Sequence, residues 1–342
     1  MGTITIKDIA EKCGVGVSTV SRAINNHPDI NAETKAKIME VIQQNNFTPN
    51  DTARNLKRTA SKTIAVVAKA LDNPLFSKMI RVFEKEINYK HYSYFLQHVD
   101  EHEDEVEIAL QLVRERKVKG IIFLGGYFAN AVEQLAELKV PFVISTISIP
   151  PLQKDCIYSY ASVHDQKESY RMTQYLLELG HRKIAILGAH EDDESIGKLR
   201  LKGYLEAMKD AQVSVDATWI RYMLDDIEVY SMKMGYEMTK QLLKEQVEVT
   251  AIFAISDIMA VGACKALTQA GKRIPEDISV AGFDGLDVGF FYEPSITTIA
   301  QPVEEIAEES IHMLFTMISK KKKVSHKRFE GELLKRESVK RI

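Results

Sequence analysis

The residues best able to do chemistry fall where apolar runs end. Asp284 closes ISVAGF, Ser256 and Asp257 close AIFAIS, and Asp72–Asn73–Pro74 follows TIAVVAKA. Asp165 follows SYASV, Arg200 lies in KLRLKGY after RKIAILG, and Phe76 comes just behind Pro74. Carboxylates accept pairs of hydroxyl protons, arginine donates through a planar fork, and an aromatic face covers the apolar side of a ring. These types suit recognition of a polyol. A lone aspartate at a strand end is more often a turn former or a helix cap, and Asp257 reads as the cap of the helix that begins IMAVGA.

A second set lies near the start, in TITIKDIAEKCGVGVSTVSRAINN. On a helix from about Val17 to Asn25, Ser18, Ser21 and Arg22 share one arc at about 100° per residue. Val20, Ala23 and Ile24 share the opposite arc and must pack inward. Small hydroxyls allow close approach to base edges, and Arg22 can fork onto guanine O6 and N7. A generic helical bundle with a solvated serine face would show the same pattern.

These residues need elements to hold them. Thr5 and Asp8 form a capping-box-like pair that opens a first helix with Ile6, Ile9 and Ala10 as its stripe, and Gly14 ends it. A third helix follows the Asn31 cap, with Ile38, Val41, Ile42 and Phe47 closing a small core. Two helices around a tight turn make a helix-turn-helix, whose second helix enters the major groove. Further on, apolar runs alternate with amphipathic segments in two series: TIAVVAKA, YSYFLQHV, GIIFLGG and PFVIST, then RKIAILG, TAIFAIS and DISVAGFD. Such alternation builds parallel sheets with helices on both faces, and two series imply two lobes with a cleft at the carboxyl ends of the strands. HEDEVE at 102–107 reads as a solvated acidic helix start. The basic run from Lys320 to Lys323, with His326–Lys327–Arg328, reads as a solvated loop, and MKMGYEM as packing.

Bulk properties narrow the function. The chain has 342 residues, enough for two or three domains, with 45% hydrophobic and 27% charged residues, an ordinary globular balance. It holds no apolar run of membrane-spanning length and its first residues form no secretory segment. Cys13, Cys156 and Cys264 are far apart, which fits a reduced, cytoplasmic protein. Residues 1–62 carry a net charge of +3 and the remainder −6, so a basic head on an acidic body is suited to meet a polyanion. No GxSxG, HExxH or phosphate-binding loop is present, and His164–Asp165 and Glu191–Asp192–Asp193–Glu194 have no partner at informative spacing. No enzyme activity, cofactor or metal site is expected.

TIKDIAEKCGVGVSTVSRAINN and TPNDTARNLK resemble the N-terminal signature of the LacI/GalR (lactose and galactose repressor) family. The resemblance continues through DNPLFSKMIRVFE, VKGIIFLGG, LGHRKIAILG, RLKGYLEAM, AIFAISDIMAVGA, RIPEDISVAGFDG, PSITTIAQP and LLKRESV, and so covers essentially the whole chain. It implies an N-terminal all-α helix-turn-helix domain at 1–48 and a hinge helix and linker at 49–62. It further implies an α/β body at 63–342 of two doubly wound parallel-sheet lobes, like a periplasmic binding protein. The chain is expected to cross back between lobes, giving an N-lobe of about 63–162 plus 294–320 and a C-lobe of about 163–293 plus 321–342.

The resemblance also implies roles. Val17 and Ser18 match base-reading positions, to which Arg22 and Ser21 add, while Thr5, Lys7, Asn25 and Thr34 would contact phosphates. Gly16 departs from the family's usual serine-like cap and forgoes that side chain's phosphate contact. Asn50 would cap a hinge helix of under two turns, with Ala53 and Leu56 on one face, and Leu56 would wedge between bases in the minor groove. In the cleft, positions matching Arg200 and Asp284 hydrogen-bond the effector and those matching Phe76, Asp165 and Ser256 line it. Serine at 256 is shorter than the asparagine common in relatives. Tyr230 is the candidate stacking aromatic, although its spacing to Gly235 is one residue off. The expected partners are double-stranded, pseudo-palindromic operator DNA, a small-molecule effector of carbohydrate type, and a second copy of the chain in a homodimer, with no membrane. GELLKRESVKRI is too short for a tetramer-forming coil. A solute-binding protein and a small-molecule enzyme are the rival readings.

Overall fold

The computed structural model describes residues 4–24, 29–45, 47, 62–69, 73–100, 103–126, 128, 131–147, 158–191, 193, 195–320 and 324–342. The chain divides into two compact units, Met1–Ser61 and Lys62–Ile342.

In the first unit, α1 (Ile6–Cys13), α2 (Val17–Ile24) and α3 (Ala32–Gln44) enclose a small core. Ile9, Val20, Ala23 and Ile38 are fully buried in it, and Phe47 packs against its edge. The capping box is formed in both directions: the Thr5 amide donates to Asp8 Oδ2 at 2.7 Å and the Asp8 amide to Thr5 Oγ1 at 3.4 Å. Gly14 ends α1 in the left-handed region at φ 68°, where glycine has no Cβ to clash. Gly16 caps α2 through its carbonyl alone, which accepts from the Thr19 amide at 2.9 Å. Asn31 caps α3 by accepting from the Glu33 amide at 2.8 Å.

The second unit holds two six-stranded sheets. The first is built from β1 (Thr63–Lys69), β2 (Ser93–Val99), β3 (Gly120–Leu124), β4 (Phe142–Ser145), β5 (Ser159–Val163) and β11 (His326–Phe329), in the order β11-β5-β4-β3-β1-β2. The second contains β6 (Ile184–Leu187), β7 (Ile220–Arg221), β8 (Ala251–Ala254), β9 (Ser279–Asp284), β10 (Thr297–Ala300) and β12 (Glu332–Leu334), in the order β12-β10-β9-β8-β6-β7. All described pairings are parallel except β10 with β12. Central strands such as β3, β4 and β8 are buried throughout, as a parallel sheet covered by helices requires.

The helices of the first lobe are α4 (Pro74–Tyr89), α5 (Glu105–Arg116), α6 (Ala131–Glu137) and the long α12 (Val303–Lys320). Those of the second lobe are α7 (Asp165–Glu178), α8 (Ile196–Asp210), α9 (Met232–Lys244), α10 (Asp257–Gln269) and the short α11 (Asp287–Phe291). The chain therefore passes between lobes three times: between β5 and α7, between β10 and α12, and between β11 and β12. The boundaries read from the sequence differ from this at two strands. β10 lies within 294–320 yet pairs with β9 in the second sheet, and β11 lies within 321–342 yet pairs with β5 in the first. SYASV, which is in neither series of apolar runs, is likewise a strand inside the first sheet. These short strands have no alternating or extended apolar pattern; tertiary pairing makes them strands. His326–Lys327–Arg328 accordingly belongs to an edge strand, where basic side chains discourage pairing with another chain.

Two further expectations change. Glu105, in the acidic HEDEVE segment, is 4% exposed rather than solvated, and it pairs with Lys69 Nζ at 3.2 Å. The cap of α10 is Ser256, whose side chain accepts from the Met259 amide, and not Asp257. Helices α9 and α10 cross with their backbones almost touching. A Cβ on Gly235 would stand 2.0 Å from the Met259 carbonyl oxygen, and one on Gly262 would stand 1.9 Å from that of Met232. Met234 and Met238 are fully buried, as packing residues.

Asp257 is instead a core carboxyl. It is fully buried, and its Oδ2 accepts from the Leu286 amide at 2.6 Å. Burial, reinforced by the nearby Asp284 charge, pushes its pKa from 3.8 up to about 8. A carboxyl raised on folding contributes stability that is full below its unfolded pKa and is lost as pH rises through the folded one. Asp257→Asn keeps an acceptor for Leu286 but has no charge to bury. Thermal denaturation of the full chain should show a smaller loss of melting temperature between about pH 6 and about pH 8.5 in this variant than in wild type; an equal loss would exclude Asp257 as the source.

Candidate functional site: an inter-lobe cleft and an exposed helix

In the first unit, α2 turns Ser18 and Arg22 to solvent, and Val17 is 41% exposed. Ser21 is half-buried on the same helix. Lys7 is exposed on α1, Thr34 is half-buried on α3, and the exposed Thr5 has its hydroxyl committed to Asp8 Oδ2 at 2.7 Å. An exposed helix face bearing an apolar, a hydroxyl and a guanidinium side chain can meet a groove edge with all three. Asn25, Asn50, Ala53 and Leu56, with all of the expected hinge at 49–62 but its last residue, lie outside the described residues.

The second unit has a cleft of about 240 Å³ at the carboxyl ends of its strands. From the first lobe come Lys69 at the end of β1, His98 and Val99 at the end of β2, Gly125 and Gly126 after β3, and Thr146 after β4. The second lobe contributes Arg200 from α8, Tyr230 before α9, Asp284 at the end of β9, and Gln301 after β10. Of the residues expected from the sequence, Phe76, Arg200, Tyr230 and Asp284 line this cleft. Asp165 and Ser256 do not.

Arg200 is the centre of the second-lobe wall and is only 2% exposed. Its Nε donates to Asp165 Oδ1 at 2.9 Å, and its Nη2 stands 2.9 Å from the same oxygen. Nη1 donates to the Ile255 carbonyl and lies 3.7 Å from Asp284 Oδ1. The guanidinium is centred 3.7 Å from the ring centroid of Phe283, a stacked cation–π arrangement. Burial alone would oppose the charge, but the carboxylates of Asp165 and Asp284 raise the pKa of Arg200 and keep it cationic. Asp165 thus aims the arginine rather than facing the cleft. It can do so because it is the first residue of α7, directly after the first passage between lobes.

Asp284 adopts φ 118°, a conformation that L-residues rarely take. Its carboxylate is held there by Gln301 Nε2 at 2.7 Å, across the neighbouring strand. Burial raises its pKa to about 6, with the Arg200 charge acting in the other direction. At neutral pH the group is therefore mostly ionised and presents an acceptor to the cleft. Ser256 is 1% exposed and its hydroxyl caps α10, so its side chain is spent on the helix rather than on a ligand. Tyr230, with φ 52°, turns into the cleft from the segment before α9.

Sequence reasoning missed Lys69, His98, Thr146 and Gln301. Lys69 and Thr146 carried a usable signal, since both end apolar runs that were read as strands. Gln301 follows a strand that was not recognised, so its position had no frame. The first-lobe wall is fixed by a buried network: Lys69 Nζ pairs with Glu105 Oε2 and donates to the Glu103 carbonyl at 2.7 Å, while Glu105 Oε1 accepts from the Phe128 amide at 2.8 Å.

Comparison with known proteins agrees with both units. Residues 5–50 match the family described as bacterial regulatory proteins, lacI family, and residues 173–339 match the periplasmic binding protein-like domain. The chain is 37% identical over 340 residues to the HTH-type transcriptional regulator MalR of Clostridium butyricum, covering 98% of this chain and 99% of that protein. A solved complex of the transcriptional regulator CelR with cellobiose is similar at a TM-score of 0.72 and 26% identity, over 98% of this chain and 99% of the other. The lac repressor dimer bound to operator and the anti-inducer ONPF shares the fold at a TM-score of 0.76 and 24% identity, over 99% and 100% of the two chains. Full-length coverage at this identity, on a chain whose first unit is a helix-turn-helix, leads to one assignment: the chain belongs to the lacI family of bacterial regulatory proteins and is a DNA-binding transcriptional regulator.

Proposed function

We propose that the chain is a cytoplasmic repressor that binds a pseudo-palindromic operator as a homodimer and is controlled by a carbohydrate in the inter-lobe cleft. The observation that carries the effector reading is the Arg200–Asp284 pair, a fixed donor and a fixed acceptor facing a cleft that also offers the rings of Phe76 and Tyr230. Hydroxyls pair with such groups in both directions, and a sugar's apolar face suits the rings. The relatives point the same way, one being a complex with cellobiose. An effector controls the switch only through its preference for one lobe arrangement over the other, and three strand passages are the places where such a change is absorbed.

Dimerisation has support in the second unit itself. Phe290 and Phe291 on α11 are 57% and 81% exposed and stack edge-on at 5.1 Å, an apolar pair that a second copy would cover. Two heads on a dimer would then meet two half-sites, with Val17, Ser18, Ser21 and Arg22 reading bases and Thr5, Lys7, Asn25 and Thr34 placed on phosphates. Asn50, Ala53 and Leu56 would form the hinge helix, with Leu56 inserted between bases. The rival readings, a stand-alone solute binder or an enzyme, give no use for the exposed face of α2.

Three outcomes are expected. Light scattering without DNA should give a mass of two chains, and a mass of four would contradict the dimer. Binding to operator duplex should fall steeply with salt, and Arg22→Ala should weaken specific binding by about 1–3 kcal/mol with little change in non-specific binding; equal loss of both would remove Arg22 from base reading. In thermal-shift assays against a saccharide panel, a compound that stabilises wild type should fail with Arg200→Ala and with Asp284→Ala. Retained stabilisation in both variants would place the effector elsewhere.

A further inference from the structure

We infer that the cleft selects an uncharged polyhydroxylated ligand and rejects phosphorylated forms of the same sugars, an inference that rests on the effector reading above. Among the described residues that line the cleft, the two permanent cations are Lys69 and Arg200, and each arrives already compensated. Lys69 pairs with Glu105 at 3.2 Å, with both side chains under a tenth exposed. Glu105 cannot swing away, because its other oxygen is held by the Phe128 amide at 2.8 Å. The charge of Arg200 is met by Asp165 at 2.9 Å and by Asp284 at 3.7 Å.

The other ionisable groups at the cleft tilt it negative. Asp284, Asp100 and Glu228 are all on its lining. His98 lies 3.6 Å from Asp100 through Nδ1, so even when protonated it has a carboxylate to match it. Neither of the two helix N-termini at the cleft is left bare to an anion. Asn73 accepts from the Leu75 amide at 3.0 Å at the start of α4. The start of α8 has no side-chain cap, but the carboxylate of Asp193 stands beside it, accepting from the amide of the N-cap residue Ser195 at 2.7 Å.

A phosphate entering this space would lose hydration and, among the described lining residues, meet cations that are already paired and the carboxylates of Asp284 and Asp100. A hydroxyl meets no such penalty, because it needs only a donor or an acceptor, and Asn73, Thr146 and Gln301 add neutral ones.

The test uses matched ligands on the full chain: glucose, ribose and cellobiose against glucose 6-phosphate and ribose 5-phosphate. Affinity is read by titration calorimetry and thermal shift at constant ionic strength. The expected result is at least about tenfold weaker binding of each phosphate than of its neutral parent, since placing like charges together is costly. Equal or tighter binding of a phosphate overturns the inference and leaves the carbohydrate reading standing. Binding of no saccharide in either form overturns the carbohydrate reading itself, and this inference with it. Glu105→Gln, which exposes the Lys69 charge, should raise the phosphate-to-neutral affinity ratio, as should Asp100→Asn, which does not touch the buried pair. An unchanged ratio in the folded variants also overturns it.

Discussion

A guanidinium that is 2% exposed has to be compensated where it lies, and the second lobe is organised around that requirement at Arg200. Its partners come from three different segments: Asp165 at the head of α7, the Ile255 carbonyl beyond β8, and Asp284 at the end of β9. Removing one partner from such an arrangement leaves a charge buried without its counter-charge, which costs far more than the pair contributes when intact. The arrangement is therefore better understood as fixing geometry than as adding stability. It sets the direction of a donor fork and ties it to the first passage between the lobes, where Asp165 stands. The unusual backbone at Asp284 belongs to the same device, because Gln301 from the second passage holds its carboxylate in place.

The first lobe solves the mirror problem with the opposite charge order. Lys69 closes a strand, Glu105 opens a helix, and the loop after β3 is clamped through the Phe128 amide. Each wall of the cleft thus has one cation held by buried carboxylate and backbone: Glu105 on one side, Asp165 and Asp284 on the other. With the walls prefixed in this way, a ligand gains little by reorganising side chains and mostly by fitting between them, which is how preorganised sites obtain affinity.

The architecture was largely legible in the sequence because apolar runs of four to seven residues mark buried parallel strands plainly. The head was legible for a different reason: capping residues at Thr5 and Asn31 and the helical period of Ile9, Val20 and Ile38 agree with one another. What was lost were strands without such a signature. β10, β11 and β12 are short and carry polar residues, and only pairing across the fold defines them, so the second and third passages between lobes were each placed too early in the chain. Of the residues expected at the site, Arg200, Asp284, Phe76 and Tyr230 lie on the cleft lining, whereas Asp165 holds the arginine and Ser256 caps a helix. The two differences have one origin: a polar residue after a strand serves equally well as ligand contact, orienting group or cap. Glu105 failed through the reverse assumption, that an acidic helix start is solvated.

The crossing of α9 and α10 has a mechanical consequence. Where Gly235 and Gly262 bring two backbones into contact, no layer of side chains lies between the helices to shear, and no rotamer change can let one slide on the other. Each helix lies against the other as a rail against its bed. The two helices are thereby coupled as one rigid pair, and what couples them is the absence of two methyl groups.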